Sequence, residues 1–251
     1  MTNHNDQPET RVALVTGGSQ RIGAAIVRVL HGAGMDVALH YRRSRDAALR
    51  LVAELNTARG DSAALFQADL REIRQINQLV DAVVEWRARL DLLVNNASTF
   101  YPTPLGHASE TQWDDLLDTN LKAPFFLAQA AAPHLRAVEG SIVNLADIHG
   151  QQPLKEHPVY SCAKAGNIML TRSLARELGP EVRVNGVAPG AILWPASGMD
   201  DVGRQRIVNR TALKRQGDPR DVAATVRFLA LEAPYITGQI IAVDGGRTLG
   251  Y

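Results

Sequence analysis

Tyr160 and Lys164 stand four residues apart in a stretch whose apolar spacing predicts a helix, so both side chains project from one face. An ammonium beside a phenol lowers the phenol's pKa and readies it to give or take a proton, while the ammonium can also bind a ribose. A second set, Thr16-Gly17-Gly18-Ser19-Gln20-Arg21-Ile22-Gly23, is rich in glycine. Glycines there permit a tight turn and let backbone N–H groups approach a pyrophosphate at the positive end of the next helix. Arg21 takes the place where a dinucleotide turn ordinarily has another glycine, and its guanidinium can reach phosphate oxygens or lie over a heterocycle. The third set is His40-Tyr41-Arg42-Arg43-Ser44. An NAD site carries Asp or Glu about 20 residues after the turn, to bind ribose hydroxyls. Here two arginines and a serine suit a ribose phosphate instead, which points to NADPH/NADP+. Asp69-Leu70 is placed to bound an adenine.

These residues need a frame, and the chain alternates strand-length apolar runs with helical patterns throughout. Strands are predicted at Val12–Thr16, Val37–Tyr41, Ala63–Gln67, Leu90–Val94, Gly140–Leu145, Val182–Val187 and Gln239–Val243. Helices are predicted at Ile22–Ala33, Ala47–Arg59, Ile73–Arg89 and Val159–Leu178. Trp113–Leu135 reads as one long helix or a pair, bent or interrupted by Pro124. Repeated βαβ units imply an α/β fold, a single doubly wound parallel sheet of about seven strands with helices on both faces. The glycine turn follows the first strand, the basic set tips the second and Asn95-Asn96-Ala97 ends the fourth. Residues 189–217 are weakly patterned and follow the sixth strand, as a substrate lid would.

Composition narrows the class. Of 251 residues, 27 are Lys or Arg and 26 Asp or Glu, so a net charge of +1 offers no field for nucleic acid or anionic lipid. No apolar run approaches the roughly 20 residues of a bilayer crossing. Met1–Thr10 is a polar tail without an apolar signal core, and residues 11–251 read as one cytoplasmic domain. The single cysteine, Cys162, excludes an internal disulfide and a cysteine-built metal site, and no metal is expected.

The glycine turn, Asn95-Asn96-Ala97, Asn120 and the Tyr160/Lys164 pair together resemble the short-chain dehydrogenase/reductase superfamily, with its Rossmann-like fold, over the chain from Arg11 onward. Val243-Asp244-Gly245-Gly246 at the last strand is also typical of it. The resemblance implies Tyr160 as proton donor, Lys164 on the nicotinamide ribose, Asn120 in the proton relay, and Pro189-Gly190 by the nicotinamide carboxamide. Two departures are informative: Asp147 stands thirteen residues before Tyr160, where most members carry serine, and Arg21 replaces a glycine. Both resemble the pteridine reductases. That branch is also similar at His40–Ser44 and nearly letter for letter at Asn96-Ala97-Ser98-Thr99-Phe100-Tyr101-Pro102-Thr103-Pro104-Leu105. It implies that Phe100 stacks on a pterin, and relatives that are homotetramers imply Tyr251 near a neighbouring subunit's site.

The chemistry agrees with the resemblance. A ketone needs a hydroxyl on its oxygen, whereas a pterin presents ring nitrogens and an amino group that want acceptors too. Asp147 can accept from the pterin and, with Tyr160, feed a proton to a ring nitrogen as hydride arrives at the adjacent carbon. Ser98 can bridge pterin and cofactor phosphate, Arg21 can lie over the heterocycle, and Phe100 offers a stacking face. Asp147 as a structural cap and Phe100 as core filler are the plain alternatives, and Trp194 is either pocket wall or lid core. The leading expectation is an NADPH-dependent pteridine reductase acting on a small-molecule pterin. A reductase of carbonyls such as 3-oxoacyl thioesters is the alternative, and a non-catalytic NADPH-binding protein the third reading.

Overall fold

Alternation along the central strands sets the layers. In β1 (Val12–Val15) every side chain is buried, and Val12 and Leu14 enter one apolar cluster while Ala13 and Val15 enter another. Such two-faced burial is the signature of a parallel strand covered on both sides. The computed structural model describes residues 10–194 and 200–249, so residues 1–9 of the polar tail, 195–199 of the expected lid, and Tyr251 lie outside the described residues.

Seven strands form one parallel sheet. After β1 come β2 (Asp36–Tyr41), β3 (Ala63–Gln67), β4 (Leu92–Asn95), β5 (Ser141–Leu145), β6 (Arg183–Pro189) and β7 (Ile240–Val243). Their spatial order is β3-β2-β1-β4-β5-β6-β7, so the winding reverses between β1 and β4. Crevices for ligands open at such a switch point, beyond the carboxyl ends of the strands. One face carries α1 (Arg21–Gly32), α2 (Arg45–Ala58) and α8 (Pro219–Leu231), through Ile26, Leu30, Leu51, Val222 and Val226. The other carries α3 (Ile73–Arg87), α5 (Ala123–Arg136) and α6 (Pro158–Leu178), through Ile76, Val80, Leu127, Leu135 and Leu174.

Three regions refine the sequence reading. The stretch Trp113–Leu135 is two helices, α4 (Glu110–Leu117) and α5, joined by a π-helical turn at Asp118–Lys122. Pro124 lies in the first turn of α5, where a missing N–H is tolerated, so it does not itself make the break. Its effect is subtler: it offers no N–H to the Asn120 carbonyl four residues back, and that oxygen accepts from Asn167 Nδ2 at 3.1 Å instead. The lid region contains a helix, α7 (Asp201–Asn209), N-capped by Asp200. Its base is clasped by the Gly217 N–H to the Ala191 carbonyl at 3.0 Å. Finally, α8 supplies the crossover between β6 and β7 that the sequence reading leaves out; Asp218 and Asp221 begin it with a capping box.

A buried polar chain runs from the sheet into α6. Asn95 Nδ2 donates to Asn144 Oδ1 at 2.8 Å, Asn144 Nδ2 to Thr171 Oγ1 at 2.9 Å, and Thr171 Oγ1 to the Asn167 carbonyl at 2.9 Å. Replacing Asn144 by Ala strands the Asn95 donor and opens a void at a wholly buried position. A loss of about 2–4 kcal/mol in urea unfolding is expected, and a change under about 0.5 kcal/mol would remove the chain's importance.

Candidate active site

The glycine turn is locked to the end of β4 by backbone and side-chain bonds. Thr16 Oγ1 accepts from the N–H groups of Asn96 and Ala97 at 2.9 and 3.0 Å, and Asn96 Nδ2 donates to the carbonyls of Thr16 and Gly17 at 2.8 and 3.1 Å. A Cβ at Gly23 would come within 2.2 Å of the Gly17 oxygen and 2.6 Å of Asn96 Nδ2, so α1 can start here only with glycine. Gly17 itself has φ +61°, and Arg21 has φ +53°. Arg21 therefore adopts the left-handed backbone of the glycine it replaces, at a cost of about 1–2 kcal/mol.

Around this turn lies a cavity of about 440 Å³, within the range of a cofactor site. Gly17, Ser19, Arg21, Ile22 and Gly23 of the turn line it, as do His40–Ser44 at the tip of β2, Asp69 and Leu70 after β3, and Asn96, Ala97 and Ser98 after β4. The fit to a dinucleotide is good: a glycine cradle at a helix start, and Arg42 and Arg43 without an ion pair among the described residues. Ser19 and Ser44 hydroxyls meet at 2.6 Å beside them. His40 borders the cavity, but both its ring nitrogens are engaged. Its Nδ1 accepts from the Gly17 N–H at 3.1 Å and its Nε2 donates to the Ala68 carbonyl at 3.1 Å. Burial holds its pKa down to about 4, so the neutral ring braces the turn.

Four lining residues were not among those singled out from the sequence: Gln20, Arg71, Thr99 and Thr119. Arg71 bonds Asp69 at 2.6 Å and Asp115 at 3.3 Å, and its hydrogen bonds hold the Asp69 carboxyl at about 2. The Asp69-Leu70-Arg71 spacing was the available signal.

The chemical residues gather at the carboxyl ends of β4 and β5 and the start of α6. Tyr160 Oη donates to Asp147 Oδ2 at 2.8 Å, and the other carboxylate oxygen accepts from the His149 N–H at 2.8 Å. Asp147 is thus both N-cap of a short 3₁₀ turn (Ile148–Gly150) and partner of the phenol. Burial, and after it the Asp147 charge, raise the Tyr160 pKa well above that of a free phenol, with the Ser98 hydroxyl opposing. The expectation that Lys164 lowers this pKa is corrected. The Lys164 ammonium donates to the Leu145 carbonyl at 2.8 Å and lies 5.7 Å from the centre of the phenol ring, too distant to offset burial and a carboxylate. Ser98 Oγ donates to Asn120 Oδ1 at 2.6 Å, and Asn120 Nδ2 donates to the carbonyls of Thr99 and Leu116 at 3.0 and 2.9 Å.

Phe100 is 49% exposed and meets Tyr160 edge to face, ring centres 4.8 Å apart. One of its faces is stacked on His157 at 4.7 Å, a neighbour three residues before Tyr160 that the sequence reading did not select. Pro189 ends β6, and the Gly190 N–H donates to the Val243 carbonyl at 3.0 Å. Trp194 is half-buried beyond them, at the edge of the described lid. Among the described residues no cluster of His, Cys, Asp and Glu could hold a metal ion, and no helix is long and apolar enough to cross a membrane.

Comparison with known proteins agrees with this geometry. A family model described as Enoyl-(Acyl carrier protein) reductase matches residues 17–248. The 3-oxoacyl-[acyl-carrier-protein] reductase FabG of Staphylococcus aureus (strain Mu50) is 39% identical over 241 residues, covering 94% of this chain and 98% of that protein. Pteridine reductase 1 of Leishmania tarentolae is 37% identical over 282 residues, covering 96% and 98%. The 3-oxoacyl-[acyl-carrier-protein] reductase of Synechocystis sp. is 37% identical over 243 residues, covering 95% and 97%.

Burial lowers the Lys164 pKa to about 8, against a carboxylate that raises it. Between pH 8 and the usual value of 10.5 the unfolded chain holds a proton that the folded one has released, so this group's contribution to stability rises with pH across that window. Below pH 8 both states are protonated and the penalty of burying the charge is constant. The stability of the wild type relative to Lys164→Met should therefore improve from pH 8 to 10.5, by about 3 kcal/mol at most. Parallel denaturation curves at several pH values test this, and a constant gap would show that the ammonium is not strained by burial.

Proposed function

Since the chain belongs to the short-chain dehydrogenase/reductase family, and is thus an oxidoreductase, we propose that it is an NADPH-dependent pteridine reductase, converting dihydropterins, and with them oxidised pterins and folates, to tetrahydropterins. The hydrogen bond between Asp147 and Tyr160 carries this reading. A ketone oxygen only accepts hydrogen bonds, so the Asp147 carboxylate, 2.8 Å from Tyr160 Oη, would face it as a second acceptor. A neutral hydroxyl in place of Asp147 would suit a carbonyl better. A pterin brings N–H and amino donors that a carboxylate can accept, together with a ring nitrogen that needs a proton.

When bound, NADPH supplies the hydride to the ring carbon. The protein's part is to hold the ring and deliver the proton. Asp147 Oδ2 orients the ring and relays the Tyr160 proton to the adjacent nitrogen, along a hydrogen bond that already exists. The Lys164 ammonium is placed to bind ribose. Phe100, exposed beside Tyr160, suits a flat heteroaromatic ring. Arg42 and Arg43 in the cavity wall, without an ion pair among the described residues, support NADPH over NADH. The exposed Phe125 on α5 and Met169 on α6 support the tetramer that the resemblance implies, with long helices paired between subunits.

One observation favours a second reading, reduction of 3-oxoacyl thioesters: FabG of Staphylococcus aureus is at 39% identity and the pteridine reductase at 37%. Steady-state NADPH oxidation with dihydrobiopterin, dihydrofolate and acetoacetyl-CoA side by side separates the two. NADPH should be preferred over NADH by about a hundredfold or more, and Arg42→Ala with Arg43→Ala should erase most of that preference. Equal use of both cofactors by the unaltered protein would refute the assignment of the β2 tip.

Asp147→Ser tests the substrate class. Serine can still cap the turn at Ile148–Gly150, so only the carboxylate's chemistry is removed. The variant should keep its melting temperature and NADPH affinity and lose about a hundred- to ten-thousandfold in dihydropterin turnover. Full dihydropterin activity in the folded variant would sink the mechanism, leaving fold and family intact.

A further inference from the structure

A second cavity, of about 260 Å³, begins at the residue after Asp147 and shares no lining residue with the dinucleotide cavity. Ile148, His149 and Leu154 line one side. Arg206 of α7, Arg210 at its C-cap and Arg247, beyond β7, line the other. None of these three guanidinia is ion-paired among the described residues, and the lining contains no acid. The neighbouring carboxylates are committed elsewhere: Asp147 to the His149 N–H and Tyr160, Asp244 to the N–H groups of Gly246 and Thr248 at 2.8 and 2.7 Å. Arg206 and Arg210 are one turn apart at the end of a single helix, a repulsive spacing. Arg247 is half-buried, with Arg210 and the carboxylates of Asp147 and Asp244 within electrostatic range, though neither carboxylate is ion-paired to it among the described residues.

We propose that this cavity is the subsite for an anionic tail on the reducible substrate, a carboxylate or phosphate group gripped by Arg206, Arg210 and Arg247 while the reacting end lies at Asp147 and Tyr160. The inference rests on the reading that substrate reacts at those two residues. Guanidinium forks match both anions bidentately, and Arg247, the half-buried one of the three, is the best screened from water. Glutamyl carboxylates on a folate and the phosphates of an acyl thioester are the two sources of such an anion. Enclosure by α7 would also explain why the segment following β6 turns back to its own base at Ala191 and Gly217.

The test compares wild type with Arg206→Gln/Arg210→Gln/Arg247→Gln in two substrate pairs under saturating NADPH. One pair is dihydrofolate, with two carboxylates, against uncharged dihydrobiopterin; the other is acetoacetyl-CoA against the uncharged N-acetylcysteamine thioester of acetoacetate. In a pair that wild type turns over, the charged member should lose about tenfold or more in kcat/KM, chiefly through KM, while the uncharged member changes by less than about twofold. The uncharged member is the control for folding. Arg206→Gln/Arg210→Gln, on the exposed α7 and at its C-cap, should give a smaller selective loss with Arg247 untouched. Equal losses on both members, or none on the charged one, overturn the subsite. Selective loss in the acyl pair, with neither pterin turned over by wild type, keeps the subsite with a phosphate ligand and overturns the pterin reading. Absence of turnover in all four overturns both.

Discussion

The buried chain of amides from Asn95 through Asn144, Thr171 and Asn167 to the Asn120 carbonyl is the constraint on which the site depends. It ties β4 to β5, both strands to α6, and α6 to the π-helical turn between α4 and α5. Three of those elements position the candidate site residues. α6 carries Tyr160 and Lys164, the π-turn carries Asn120, and the segment after β5 carries Asp147. Apolar packing alone would let α6 slide along the sheet at little cost, because dispersion is not directional. A chain of hydrogen bonds in a dry interior has one good register, and any shift strands a buried amide.

A second lock, at the switch point, acts on the cofactor end. Thr16, Asn96 and His40 hold the glycine turn from three sides, and the absence of a Cβ at Gly23 lets α1 start against it. The cradle is therefore formed before anything binds. Preorganisation of this kind lowers the ordering cost of binding. The strained backbone of Arg21 belongs to the same economy: its positive φ is held by the surrounding lock, and what it places in the cavity is a guanidinium where glycine would place nothing.

Asp147 then divides its two oxygens between structure and chemistry. One caps the turn at Ile148–Gly150, which orients the carboxylate; the other receives the phenol proton. The cap and catalyst readings of this residue are not rivals. A serine at this place could cap equally well, so the cap does not explain the choice of a charged residue; the proposed protonation of a ring nitrogen offers a reason.

Much of this was legible in the residues themselves. Continuous apolar runs separated by helical periods marked all seven strands, most clearly the central ones, because a parallel strand buried on both faces admits little else. The glycine turn, the basic tip of β2 and the Tyr160/Lys164 spacing each carry a local geometric requirement, so they could be read without a fold. What only the tertiary structure decided depends on contacts between distant segments. Periodicity could not show α7 in the lid, nor that Pro124 leaves the Asn120 carbonyl to Asn167. Spacing alone suggested an ammonium that loosens the phenol; burial and Asp147 reverse the sign, since both act through neighbours brought together by folding. His157 against Phe100, Arg71 against Asp69 and Asp115, and three arginines around one cavity are likewise invisible along the chain. Residue types determine which charges and rings exist, but their effective strength depends on distance and on exclusion of water, and only the fold sets these.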